Sequence, residues 1–175
     1  MSERSNALKS HVRDVPDFPK PGILFKDITP LLANASAFAS TIDLLAEQVA
    51  DRHIDRVVGI ESRGFIFASA LAVRLGTGFV PVRKPGKLPH ASDRVSYALE
   101  YGEDALEMHK DALKPGSNVL VVDDVIATGG TAAAAAALVH RQGGVLAGFL
   151  FVVELMALGG RARLPKADVF SLLTF

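Results

Sequence analysis

The chain has 175 residues, 49% apolar and 22% charged, enough for one folded domain with a core of its own and too few for a multidomain machine. Nineteen Lys and Arg balance nineteen Asp and Glu, so no basic excess points to non-specific nucleic-acid binding, and any anion site must be local. Cysteine is absent, which excludes disulfide frameworks, thiolate metal sites and cysteine nucleophiles.

In chain order, Met1 to Asp14 is polar and charged, and no run of about 18 uncharged apolar residues occurs anywhere. Neither a signal peptide nor a membrane span is expected, and the cytoplasm is the default address. Leu8 and Val12, four apart, suggest a helix over 3–14, which Pro16, Pro19, Pro21 and Gly22 then break into a loop. Phe38, Ile42, Leu45, Ala46 and Val49 recur at helical spacing, and RVVGI at 56–60 reads as a buried strand. A helix over Phe65 to Leu75 and a strand over Phe79 to Val82 follow. Then come a polar loop from Lys84 to Arg94 and a strand over Val95 to Tyr101. Asn118 to Val122 is a strand, Thr131 to Arg141 an alanine-rich helix, Val145 to Val153 a strand and Val169 to Leu173 a short last one. Strands alternating with helices predict an α/β fold, a parallel sheet with helices on both faces. The alanine run at 132–137 reads as a helix that packs closely on that sheet.

The stretch with chemistry in it is VLVVDDVIATGGT at 119–131, an apolar strand ending in two acids, then a glycine turn opening a helix. Unpaired N–H groups at a helix N-terminus, at the positive end of its dipole, would bind a phosphate placed over Ala127 to Thr131. Thr128 and Thr131 add hydroxyl donors, and Gly129 and Gly130 remove the Cβ atoms that would keep the backbone away. Neither GxxxxGK[ST] nor GxGxxG is present, so the phosphate belongs to another kind of ligand. Asp123 and Asp124, at the strand end where open α/β sheets bind ligands, can accept hydrogen bonds from vicinal sugar hydroxyls. A ribose 5-phosphate fits both halves. The plainer alternative is two acids closing a strand and a tight glycine turn.

VVDDVIATGGT resembles the phosphoribosyl diphosphate signature of the type I phosphoribosyltransferases. DFPKPGILFKDITP at 17–30, GIESRGFIF at 59–67, VPVRKPGKLP at 80–89, YALEYG at 97–102 and VELMALGGRARL at 153–164 resemble further segments of that family, in family order, and point to its adenine-specific branch. The resemblance implies one domain over 1–175: a central, mostly parallel sheet flanked by helices, a small hood over 1–34 that contributes to the base pocket, and a flexible catalytic loop over 84–101.

It also implies roles. Glu61, Ser62 and Arg63 would hold the diphosphate, with a cis peptide between Glu61 and Ser62. Arg63 offers a fork of donors suited to phosphate. Arg83, Lys84 and Lys87 would neutralise the departing diphosphate, although on composition alone they read as a solvated basic loop. Glu100 would exchange a proton with N7 of adenine, as acid or as base, and Tyr101 would lie near the reacting ribose. Phe25 and Leu155 would sandwich the adenine ring while backbone groups of Leu24 and Lys26 read its edge. Residue by residue, Phe25 and Leu155 also suit an ordinary core. Glu154 is open between orienting the base pocket and pairing with an arginine.

The implied reaction is Mg²⁺-dependent transfer of the 5-phosphoribosyl group from its diphosphate to N9 of adenine, giving AMP and diphosphate. Mg²⁺ would be held mainly by substrate oxygens and water, with no dedicated protein ligands. The implied assembly is a homodimer, with no nucleic-acid or membrane partner. Two alternatives stand beside it: a transferase for 6-oxopurines, and a non-catalytic regulator that binds the diphosphate as an effector.

Overall fold

The computed structural model describes residues 3–98 and 103–175. A five-stranded parallel sheet, in the order β4-β3-β7-β8-β9, is formed by β3 (Arg56–Ile60), β4 (Gly78–Val82), β7 (Asn118–Ile126), β8 (Val145–Glu154) and β9 (Val169–Thr174). The central strands carry nearly continuous apolar runs because both of their faces are covered. Successive residues of β7 enter opposite cores. Leu120 and Val122 pack with α3 (Ala35–Glu47) and α4 (Gly64–Leu75), whereas Val119 and Val121 pack with α5 (Gly130–Arg141). In α5, Ala132, Ala134, Ala135 and Ala136 are all buried, as expected of a helix whose small side chains bring it close to the sheet.

Two antiparallel hairpins flank this sheet. The first joins β1 (Arg13–Pro16) to β2 (Leu24–Asp27), between α1 (Glu3–Lys9) and α2 (Thr29–Ala33). The second joins β5 (Ser92–Ala98) to β6 (Glu103–His109), and its inward residues Leu106 and Met108 share a core with α5.

Several boundaries differ from the sequence expectation. The first helix ends at Lys9, not at residue 14, because Arg13 to Pro16 pair with Asp27 to Leu24, a long-range partner that periodicity does not show. The Pro-rich loop is the turn of that hairpin. The polar loop is shorter than 84–94, since β5 begins at Ser92, and β6 and α2 were not expected at all. The 3₁₀ turns Met156–Leu158 and Gly160–Arg163 were not expected either. β7 runs on to Ile126, so Asp123 and Asp124, expected at the strand's C-terminal end, are followed by two more strand residues.

Candidate functional site

The C-terminal ends of β3, β7 and β8 converge on one edge of the sheet, the position at which open α/β folds bind ligands. A cavity of about 320 Å³ opens there, lined by Glu61, Ser62, Arg63 and Lys84 on one side and by Asp123, Asp124, Ala127, Thr128, Gly129 and Thr131 on the other. Most of the residues expected to bind ribose phosphate and diphosphate are therefore together.

Asp123 and Asp124 are buried, 8% and 5% exposed, and the Asp124 N–H donates to Asp123 Oδ1 at 2.9 Å. Burial, reinforced by the neighbouring Asp124 charge, pushes the Asp123 carboxyl well above the usual carboxylate range. Burial also raises Asp124, against the pull of Arg63, whose Nε lies 2.9 Å from Asp124 Oδ2. Gly64, at the start of α4, has a packing reason that was not apparent from its place in a turn: a Cβ there would stand 2.5 Å from Asp123 Oδ1. The first turn of α4 thus sits directly against the acid.

The peptide between Glu61 and Ser62 is cis, as the resemblance implied. Glu61 lines the cavity with its N–H and carboxylate already engaged, however. Its N–H donates to the Val82 carbonyl at 2.9 Å. Its carboxylate accepts from Arg83 at 3.3 Å, from the Lys84 N–H at 3.0 Å and from Lys87 Nζ. Burial alone would raise the Glu61 carboxyl, but Lys87, the Lys84 amide and Arg83 outweigh it and hold it at about 2. The Glu61 carboxylate is therefore an anchor for cations, a role consistent with its negative charge. Arg83 and Lys87 turn toward it and are absent from the cavity wall.

Lys84 reaches the wall and pairs with Asp104 of β6, which also accepts from the Tyr97 hydroxyl at 3.2 Å. Thr131 Oγ1 donates to the same Tyr97 hydroxyl at 3.4 Å. Tyr97 and Asp104 are site residues that the sequence reading missed. The YALEYG motif holds two tyrosines, and only the pairing of β5 with β6 shows that Tyr97 faces the cavity. Glu100 and Tyr101 lie outside the described residues.

In the glycine turn, Gly129 has φ +80°, and a Cβ there would run into the Gly160 carbonyl. Gly130 differs. A Cβ on it would stand 3.3 Å from the Tyr97 ring and 3.7 Å from the Ala98 carbonyl, on the β5 side. Gly129 is the stricter requirement of the two, by its φ and by its backbone contact with Gly160, while Gly130 is the first residue of α5.

Phe25 packs edge-on against Phe18, ring centroids 5.1 Å apart, and the Arg63 guanidinium lies 5.3 Å over its ring. Arg63 thereby joins the β2 hairpin to the acids of β7. The Lys26 side chain points elsewhere, to Asp14 at 2.6 Å and over the Phe175 ring, and Leu24 is half exposed. Leu155 follows β8 and donates its N–H to the Ile126 carbonyl at 3.0 Å. None of Leu24, Phe25, Lys26 and Leu155 is on the wall of the cavity itself. Glu154 pairs with Arg161 at 2.7 and 2.6 Å, and this arginine holds its carboxyl below the usual range.

The phosphoribosyl transferase domain family matches residues 27–173. An adenine phosphoribosyltransferase of Sorangium cellulosum is 64% identical over 173 residues, covering 96% of this chain and 86% of its own length. The crystal structure of adenine phosphoribosyltransferase from Thermoanaerobacter pseudethanolicus superposes with a TM-score of 0.95 at 50% identity, over 98% of this chain and 99% of that one. The Saccharomyces cerevisiae enzyme, crystallised with an imino-altritol bisphosphate and adenine, gives 0.94 at 46% identity, over 99% and 100% of the two chains. A buried acid pair, a glycine cradle and an arginine in one cavity, with these likenesses over nearly the whole chain, have one reading: it belongs to the phosphoribosyltransferase family, in the branch of the adenine phosphoribosyltransferases.

Proposed function

We propose that the chain transfers the 5-phosphoribosyl group of 5-phosphoribosyl 1-diphosphate to N9 of adenine, releasing AMP and diphosphate. The observation that carries this reading is the buried pair Asp123 and Asp124 beside the Ala127 to Thr131 turn, with Arg63 in the same cavity. The two carboxylates accept the ribose hydroxyls, and the turn and the first N–H groups of α5 take the 5-phosphate. The C1′–O bond to diphosphate breaks as the N9–C1′ bond forms, so the ribosyl centre passes through an oxocarbenium-like state. The acids stabilise it while Arg63 and Lys84 face the leaving group.

Phe25, together with Leu155, stacks the base, and Arg63 gives up its place over the ring as adenine enters. Leu24 and Lys26 read the purine edge through their backbone. Arg83 and Lys87, held in reserve on Glu61, reach the diphosphate when the basic loop closes. Glu100 exchanges the proton at N7, and Tyr101 lies near the ribose; both of these roles rest on the family resemblance.

Mg²⁺ fits this site in one way. Among the described residues no three His, Asp or Glu converge on one point, yet Asp123 and Asp124 stand side by side on the cavity wall. That is a donor set for an ion completed by substrate oxygens and water. The chemistry it supplies when bound is neutralisation of the diphosphate. The working form is inferred to be a homodimer, for which Ile66 and Val73, one face of α4 and both exposed, provide apolar surface. The compartment is inferred to be the cytoplasm, since multiply charged substrates do not cross a bilayer unaided. Among the described residues no helix is long and apolar enough to cross a membrane.

The test is turnover of the purified chain with donor, Mg²⁺ and each purine. AMP and diphosphate should form from adenine, with hypoxanthine disfavoured by up to about 10⁴-fold, because groups that suit an exocyclic amine are left unpaired by an oxo group. Equal kcat/KM for the two bases would replace this reading with a 6-oxopurine transferase. Tight donor binding without turnover of any base would replace it with a regulator.

A further inference from the structure

Arg161 lies in the 3₁₀ turn Gly160–Arg163, outside the cavity wall, yet its guanidinium makes four hydrogen bonds. It donates to both Glu154 oxygens at 2.7 and 2.6 Å, to the Val169 carbonyl at 2.9 Å and to Ser171 Oγ at 3.2 Å. Glu154 is buried, 4% exposed, at the last position of β8, and Val169 and Ser171 belong to β9. One planar fork thus ties the turn to two neighbouring strands.

Stability is a weak reason for such an arrangement. Pairing a buried carboxylate repays its desolvation only about evenly, and apolar residues of the same volume often do as well. A bidentate arginine does supply fixed geometry, since its donors are coplanar and match a carboxylate in one orientation.

The segment so fixed backs the ribose-phosphate cradle. A Cβ on Gly160 would meet the Ala127 carbonyl and, at 2.8 Å, the Ile126 side chain, and a Cβ on Gly129 would meet the Gly160 carbonyl. The turn and the cradle therefore touch backbone to backbone, with no side chain between them to absorb a displacement. At the other end of the same segment, the Leu155 N–H bonds the Ile126 carbonyl. Residues 155–160 form a brace behind 126–129, and the Glu154–Arg161 pair closes it.

We propose that Arg161, acting through Glu154, is a positioning residue for the 5-phosphate cradle: it holds the Gly160 backbone against Ala127 and Gly129 and so sets donor affinity without touching the donor. This rests on reading the cavity as a ribose 5-phosphate site.

The test is calorimetric binding of ribose 5-phosphate, with melting temperature and steady-state kinetics beside it. Arg161→Lys keeps the charge next to Glu154 but loses the fork. It should weaken ribose 5-phosphate binding about tenfold and raise the donor KM in parallel, leaving kcat at saturating donor within about twofold. The double variant Glu154→Gln/Arg161→Met removes both charges at similar volume, so no buried carboxylate is left unpaired, and it should show the same loss. Val119→Ala, a buried position at the opposite end of β7, should lower the melting temperature and leave binding unchanged. Wild-type affinity in the Arg161 variants, or an equal loss in Val119→Ala, would overturn the positioning role while the cavity assignment stands. No binding of ribose 5-phosphate by the wild-type chain would overturn the cavity assignment, and the positioning role with it.

Discussion

The two sides of the cavity solve opposite electrostatic problems. On the β7 side, Asp123 and Asp124 are buried together with Arg63 beside one of them, and burial raises both carboxyls. On the β3 side, Glu61 is also shielded from water, yet three cationic or N–H partners close around it and hold it at about 2. One wall keeps acids whose hydrogen-bonding capacity is only partly used, by the Asp124 N–H and by Arg63, and the other keeps an acid ringed by cations. Carboxylates with lone pairs left over can accept a sugar's hydroxyls. An acid saturated with partners can only organise its neighbours.

The largest expected effect comes from breaking the cradle where the two backbones touch. Gly129→Val puts a β-branched residue at φ +80° and drives it into Gly160. Binding of AMP should fall by about a hundredfold or more by calorimetry. Gly130→Ala, whose Cβ meets only ordinary to tight contacts at 3.3 Å and beyond, should change it by no more than a few fold. Equal losses at both positions would show that the cradle is not where the structure puts it.

The next effect separates stability from function. For Asp123, whose folded pKa is raised, the linked stability is fully present below about 3.8 and is lost as pH rises through the folded value. Asp123→Asn removes that loss, so its unfolding free energy at neutral pH should exceed that of wild type in urea titrations. Its kcat/KM for the donor should fall about ten- to hundredfold, the worth of a charged acceptor. A variant that is both less stable and fully active would reverse the argument.

Glu61 runs the other way. Its folded pKa is depressed, so its stabilising contribution is complete above about 4.5 and is lost as pH falls toward about 2. The urea midpoint of wild type should drop across that window, and Glu61→Gln should flatten the drop. The variant should also raise the donor KM, because Arg83 and Lys87 lose their common anchor.

The smallest effect concerns the hairpin that carries Tyr97 and Asp104. Gln142, just past α5, donates to Asp93 Oδ2 at 3.2 Å and to the His109 carbonyl at 2.6 Å, and accepts from the Leu113 N–H. Gln142→Ala should cost about 1 kcal/mol by chemical denaturation, with KM values close to wild type.

The strand–turn–helix of 118–141 was legible in the sequence because its physics is local: an apolar run, two acids, glycines and a helix-forming stretch are contiguous, so the cradle and its phosphate chemistry lie in one short window. The alternation of helices and strands gave the α/β class for the same reason, and the family motifs supplied the rest of the donor side. Distance along the chain hid the other half. Arg13 to Pro16 became a strand only by finding Leu24 to Asp27, and β6 by pairing with β5. Arg83, Lys84 and Lys87 read as free cations in sequence, and only tertiary packing showed Glu61 and Asp104, about 20 residues away, holding them. Tyr97 became a site residue through the pleat of a hairpin, and Gly160 and Arg161 through a backbone contact across about 30 residues of chain. The composition of a segment sets what its own backbone can do. Which charges are spent and which remain for a ligand depends on partners that only the folded chain brings within reach.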